Sequence, residues 1–307
     1  MFRAALILLA TAAVAAPASA SAAAQQVGIS DQNVSMFDQP LFQRASVGHV
    51  RYFVPWNAAR HPAQLRAARD YVRRARQSGI SVLVHISTDD LRPGKGTLPR
   101  PATYRREVGR LVRALRPLGV REWGVWNEAN HPSQPTWRRP DRAAAYFVAM
   151  RAVCRGCTIV ALDVLDLSDV GRYVERFFTA LPRRDRAAAR LVGIHNYSDV
   201  NRRTTTGTRT IMAAVRRHAR ARFWLTETGG IVELGRTFRC SQRRASDRTT
   251  YLFSLLRRYR REIDRAYVYN WLGTGCSTRM DTGMVNADGT PRPAYHAFVR
   301  GLRGLGR

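Results

Sequence analysis

Two stretches of this chain deliver a carboxylate at the end of an apolar run. Trp123-Gly-Val-Trp-Asn-Glu-Ala-Asn130 carries a buried-strand pattern into the polar pair Asn127-Glu128. Further on, Phe223-Trp-Leu-Thr-Glu-Thr-Gly-Gly230 leads Glu227 into a glycine turn. A carboxylic acid that protonates a leaving oxygen, with a carboxylate that attacks or assists from the other side, is what glycosidic cleavage needs. Two such groups must differ in protonation at one pH, so the surroundings of Glu128 and Glu227 must differ.

The elements around these stretches repeat one cycle of strand and helix. Apolar or β-branched runs predict strands at 27–31, 50–54, 80–86, 123–128, 158–163, 191–195, 222–227 and 265–271. Between them, residues 37–45 read as a short helix, and apolar residues at a period near 3.6 predict longer ones. Those begin near Pro62, at Pro101, at Asp141, at Asp169, at Thr210, at Ala245 and at Pro293. Gly79 and Gly119 stand where helix C-termini favour glycine. Strict alternation of eight strands with eight helices predicts a parallel sheet covered by helices, and its length fits a closed (β/α)8 TIM barrel of the α/β class. An open doubly wound sheet would want a Gly-x-Gly-x-x-Gly turn after the first strand, which is missing. In a barrel, Glu128 would end strand four and Glu227 strand seven, at the C-terminal mouth where active sites form.

The first residues read differently. Met1-Phe-Arg3, an apolar run over 4–16 and the small-residue groups Ala18-Ser-Ala20 and Ala22-Ala-Ala24 have the layout of a secretory signal peptide. The run is too short and alanine-rich to span a bilayer well. The expectation is a signal peptide over 1–24, then a single barrel domain over 25–307, secreted to the cell envelope or beyond. Cys154, Cys157, Cys240 and Cys276, an even number in an exported chain, favour disulfides. Cys240 and Cys276 each follow a site-bearing strand, so a bridge between them would tie two loops together.

Lys95 is the only lysine among 51 basic residues, and the formal charge is +29. Arginines spread along helices give a surface that attracts polyanions, such as anionic envelope polymers, without sequence preference. No helix-turn-helix, zinc finger or aromatic-basic platform points to specific nucleic-acid binding. No metal-binding, serine-hydrolase or phosphate-loop motif competes for the chemistry, and no cofactor is expected.

Taken together, these motifs resemble the clan A glycoside hydrolases, (β/α)8 enzymes with an Asn-Glu pair ending strand four and a glutamate ending strand seven. The resemblance spans the chain in element order and is similar in style to families 5 and 39 and to the Asl1-like β-glucanases. It implies a retaining hydrolase acting on a β-linked polysaccharide or oligosaccharide, with Glu128 as acid/base and Glu227 as nucleophile. Asn127 would bind the sugar 2-hydroxyl and Arg51 would support the nucleophile. His195-Asn-Tyr197 matches a His-x-Tyr segment whose tyrosine contacts that nucleophile, Trp271 matches an aromatic floor under the sugar, and His85 would line the pocket. Ala129 departs from the pattern, which commonly has proline there. The alternative from another class is a non-catalytic basic barrel that binds an envelope or acidic glycan.

Overall fold

The computed structural model describes residues 24–276 and 279–306. The signal-peptide reading of 1–24 therefore lies almost wholly outside the described residues. Eight strands form the barrel: β1 Gln26–Ser30, β2 His49–Pro55, β3 Ser81–Ser87, β4 Glu122–Gly124, β5 in two pieces (Thr158–Val160 and Leu162–Leu165), β6 Leu191–His195, β7 Arg222–Thr228 and β8 Ile263–Tyr269. All neighbours pair in parallel, and β1 pairs both β2 and β8. The first piece of β5 pairs β4 and the second pairs β6, so the ring closes through the break at Ala161.

The main helices are α1 Pro40–Ala45, α2 Pro62–Gln77, α3 Pro101–Leu115, α4 Pro140–Val153, α5 Val170–Ala180, α6 Thr206–Arg216, α7 Gln242–Arg258 and α8 Pro293–Arg303. Proline opens five of them, where its fixed φ suits the first turn and its missing N–H costs nothing. Each longer helix buries one stripe against the strands, as α3 does with Tyr104, Val108, Leu111 and Leu115. Fully burying side chains of this size contributes about 1.5–3 kcal/mol each, which far exceeds helix propensity as a source of order.

Several boundaries differ from the sequence expectation, for local reasons. Helix α6 starts at Thr206, because the Asp199 carboxylate accepts the backbone N–H groups of Gly207 and Thr208. Helix α7 starts at Gln242 because Ser241 caps it, its hydroxyl accepting from Arg244 N. The last strand stops at Tyr269, short of Trp271.

Inside the barrel the side chains form layers. At the N-terminal mouth the Arg265 guanidinium lies 4.1 Å over the Trp224 ring and bonds Glu122 (2.6 Å) and Gln26 (2.9 Å). Above it Leu83, Val160, Leu191, Trp224 and Tyr267 make an apolar cluster separate from the outer shell. The layer above that, at the C-terminal mouth, is polar: Arg51, His85, Asp163, His195 and Glu227, all buried.

Two irregularities put acids into that layer. Strict alternation from Trp224 would aim Thr226 and Thr228 inward and Glu227 outward. The pairings Gly193↔Trp224 and His195↔Glu227 show one extra residue on β7 there, a bulge that lets Thr226 and Glu227 both face the barrel axis. The break at Ala161 does the same on β5, where alternation from the inward Val160 would turn Asp163 out.

The described cysteines pair as Cys154–Cys157, at the end of α4, and Cys240–Cys276, each with Cα atoms 5.6 Å apart. The second bridge joins the loops after β7 and β8, beside the antiparallel pairing of Glu233–Leu234 with Met280–Asp281.

Candidate active site

Glu227 emerges from the β7 bulge with its carboxylate held on both oxygens. Arg51 from β2 donates to Oε2 at 2.7 Å, and the Tyr197 hydroxyl donates to Oε1 at 3.0 Å. Arg51 is itself fixed at every nitrogen. Its Nε donates to His85 Nδ1 (3.1 Å), one terminal nitrogen to Ser30 (3.0 Å) as well as Glu227, and the other to the Asn127 side-chain oxygen. That last bond leaves the amide nitrogen of Asn127 as the donor on its side chain. Burial and the Glu227 charge push the Tyr197 hydroxyl well above its ordinary range, so it stays a donor.

Glu128 reaches the same space from the other side. Regular pairing of β4 ends at Gly124, yet Val125 N still bonds Val160 O (3.2 Å) and Asn127 N bonds Ile86 O (2.7 Å). Glu128 then takes φ +47°, a left-handed conformation that costs a non-glycine residue of order 1–3 kcal/mol unless its surroundings impose it. Asp163 supplies that constraint. Its Oδ1 accepts Glu128 N at 3.0 Å and its backbone oxygen accepts Ala129 N at 2.9 Å.

His195, at the end of β6, sits between the acids. Its Nδ1 lies 3.1 Å from Glu128 and 4.0 Å from Glu227, and its Nε2 lies 3.0 Å from Asp163 Oδ1, close but off the line of an ideal hydrogen bond. Asp163 Oδ2 also accepts the Thr226 hydroxyl. Burial pulls His195 down, but the charges of Asp163 and Glu227 and the contacts with Asp163 and Glu128 outweigh it and push its pKa up to about 10. His85 goes the other way, to about 3, because burial and the Arg51 and His195 charges exceed the pull of Asp163. Arg51 donates to Nδ1 of His85, so its ring is neutral with the proton on Nε2, 3.8 Å from Asp163. Burial raises the Glu128 carboxyl, but His195 and His131 outweigh it and hold it below its ordinary range.

One oxygen of each glutamate and Nδ1 of His195 lie within 4.8 Å of one another. That spacing alone would admit a small cation. The Arg51 guanidinium already supplies positive charge 2.7 Å from Glu227 Oε2, and a second cation beside it is an unfavourable arrangement.

A cleft of about 830 Å³ opens where the loops after β1 and β8 meet, and it is linked to the carboxylates through Tyr269, whose hydroxyl feels the charges of Glu227 and Glu128. Its walls include Gln32, Asn33, Ser35, Gln39, Asn270 and Thr274, with Tyr269 toward the acids. Trp271 is not its floor. That ring is fully buried between Phe42 and Tyr295, its Nε1 donating to Gln39, because Asp31 clamps the backbone N–H groups of Trp271 and Leu272 and turns the chain outward. The half-buried aromatic at the end of β8 is Tyr269 instead.

The structure thus brings together Glu128, Glu227, Asn127, Arg51, His195 and Tyr197. His85 is closed off from the cleft and lies beneath Arg51, where a Cβ on Gly124 would strike it at 2.2 Å. Thr226, Ser30 and Tyr269 join the site without having been given a role by the sequence, and Asp163, whose strand-end position allowed a substrate contact or a helix cap, instead holds Glu128 and His195. For Asp163 there was a signal, an acid in the otherwise apolar run Thr158-Ile-Val-Ala-Leu-Asp163.

No family model matches the chain, and no curated protein matches it. Solved structures do. A GH5_18 protein from Streptomyces cattleya, determined in complex with GlcNAc, superposes with a TM-score of 0.66 at 15% identity over 93% of this chain and 81% of its own. A glucosidase from Croceicoccus marinus gives 0.66 at 17% identity over 91% and 66%. A GH10 xylanase from Thermobacillus composti gives 0.63 at 14% identity over 90% and 96%. These likenesses extend over nearly the whole chain and establish the (β/α)8 barrel.

Proposed function

We propose that this chain is a secreted, retaining glycoside hydrolase that cleaves O-glycosidic bonds of a β-linked glycan by double displacement. Glu128 serves as acid and then base, and Glu227 as nucleophile. The observation that carries this reading is the pair of glutamate oxygens within 4.8 Å at the C-terminal mouth of the barrel, each in a different setting. Retaining enzymes hold their carboxyl groups roughly 5–5.5 Å apart, whereas an inverting water needs about 6.5–9.5 Å. Glu227, held on both oxygens by Arg51 and Tyr197, is placed to attack. The amide of Asn127 is available to donate to a sugar hydroxyl, and Tyr269 offers an aromatic face for the C–H side of a pyranose.

The cleft also bears on the sugar. Among the described residues its lining carries amides, hydroxyls and the clamped Asp31 but no arginine, which suits neutral sugars with several hydroxyls. The basic exterior is then left to hold the enzyme on anionic envelope polymers, an attraction that falls as salt rises. Two disulfides fit export, and no helix among the described residues is long and apolar enough to cross a membrane.

The test is reducing-sugar release from β-glucans, xylan, mannan and cell-wall polymers by the wild type, Glu128→Gln and Glu227→Gln. Release by the wild type and loss in both variants is the expected result. No release from any substrate, with retained binding, would support the non-catalytic barrel. Binding to anionic polymers that ignores salt would remove the role given to the basic surface.

A further inference from the structure

Asp163 is a buried carboxylate at the centre of the site, and its contacts do more than fill space. Its Oδ1 meets both the Glu128 backbone N–H and His195 Nε2, each at 3.0 Å, and its Oδ2 takes the Thr226 hydroxyl. A Cβ on Gly193 would lie 2.2 Å from Oδ2, so β6 has no room for any other residue there. Across the His195 ring, Nδ1 faces Glu128 Oε1 at 3.1 Å. Each ring nitrogen therefore lies about 3 Å from a carboxylate oxygen, Nδ1 in hydrogen-bond geometry and Nε2 off the ideal line. A neutral imidazole has one N–H and would turn a lone pair toward one of the two anions, whereas an imidazolium satisfies both.

We propose that the proton used by Glu128 rests on His195 in the free enzyme, and that Asp163 is the positioning residue that keeps it there. The inference rests on the glycosidase reading above. As substrate enters, the proton moves from His195 Nδ1 to the Glu128 carboxylate and then to the glycosidic oxygen. The bond from that oxygen to the anomeric carbon breaks with its electron pair going to oxygen, while Glu227 bonds the carbon. His195 is left neutral with its N–H toward Asp163. In the second step water attacks the anomeric carbon and Glu227 departs with the electron pair of its bond. Glu128 takes the water proton and returns it to His195.

The groups around the ring agree with this assignment. Asp163 on β5, Glu128 after β4 and Glu227 on β7 favour the charged form. Arg51 on β2 opposes it, and His85 on β3 is neutral. His131 in the β4 loop acts on Glu128, and the hydroxyls of Tyr197 and Tyr269 remain protonated. Glu128 and His195 then titrate as a pair, and the limbs of a pH profile belong to the pair.

The experiment compares wild type, Asp163→Asn and His195→Gln on aryl β-glycosides of graded leaving-group pKa, with ¹⁵N NMR of the histidine rings. In the wild type one buried ring should carry both N–H protons at pH 8, and Asp163→Asn should lose that signal. Asp163→Asn should move the basic limb of kcat/KM down by at least one pH unit. Both variants should lose about a hundredfold with poor leaving groups, a usual share for general acid catalysis, and at least tenfold less with activated ones. A neutral ring in the wild type, an unmoved basic limb, or equal losses for all leaving groups would overturn the proposal. A wild type inactive on every glycoside would sink the glycosidase reading and the catalytic use of the proton, while the spectrum would still show where the proton sits.

Discussion

Replacing Arg51 by methionine removes the guanidinium that donates to Glu227 at 2.7 Å. The guanidinium is wholly buried and the Glu227 side chain is 10% exposed, so water cannot replace the lost 2.7 Å contact without opening the barrel mouth. Breaking a buried ion pair from one side costs about 3–5 kcal/mol, most of it from the charge left behind. In a domain of this size each kcal/mol moves Tm by about 2–4 °C, so the variant should melt roughly 6–20 °C lower. Glu227→Gln alone should cost less, because the amide oxygen can still accept from Arg51 and Tyr197. The double variant is the decisive one. With no charge left to strand, adding Glu227→Gln to Arg51→Met should restore about 1–3 kcal/mol, the usual range for coupled neighbours. Thermal and urea unfolding of the four proteins at neutral pH and fixed salt closes the cycle. If Arg51→Met melts with the wild type, or the second substitution adds to the first instead of relieving it, Arg51 is not what holds Glu227.

Two further outcomes follow from groups away from the carboxylates. Removing the Cys240–Cys276 bridge with paired serines frees a 36-residue separation, which by chain entropy costs about 3–4 kcal/mol. Since the bridge ties the loops after β7 and β8, KM for a polymer should rise more than kcat falls, and equal kinetics with unchanged Tm would contradict that. Asp166 accepts Ser198 N and Asp199 N but is pushed up to about 7, chiefly by burial, so its folded pKa lies above its unfolded one. Protonation then favours the folded state: the wild type should gain stability as pH falls from about 7 toward 4. Asp166→Asn should lack that increment in a Tm-versus-pH series, and identical slopes would remove Asp166 from the account.

The alternation of strands and helices was legible because buried strands, helix-opening prolines and terminal glycines such as Gly79 and Gly119 are local signals. Glu128 and Glu227 could be read because each ends an apolar strand, whereas Arg51, His195 and Tyr197 were read through the resemblance to clan A enzymes. What could not be read was which way some of them face. Alternation from Trp224 puts Glu227 outside the barrel, and only the extra residue on β7 turns it in. The same holds for Asp163 past the break at Ala161, where alternation from Val160 would turn the acid away from the axis. Trp271 was misplaced for a related reason. The strand ends two residues earlier, and Asp31, a residue distant in sequence, decides that the ring turns into the shell and leaves the cleft to Tyr269.

The geometry makes one demand that a single spectrum can meet. Under the proposed double displacement, which the approach of the glutamate oxygens to within 4.8 Å supports, the first sugar formed keeps the anomeric configuration of the bond that was cut. Proton NMR of the reducing end, followed from the first seconds of hydrolysis of a β-linked substrate, should show the β-anomer appearing first and the α-anomer growing only by mutarotation. An α-anomer formed first would contradict the double displacement through Glu227.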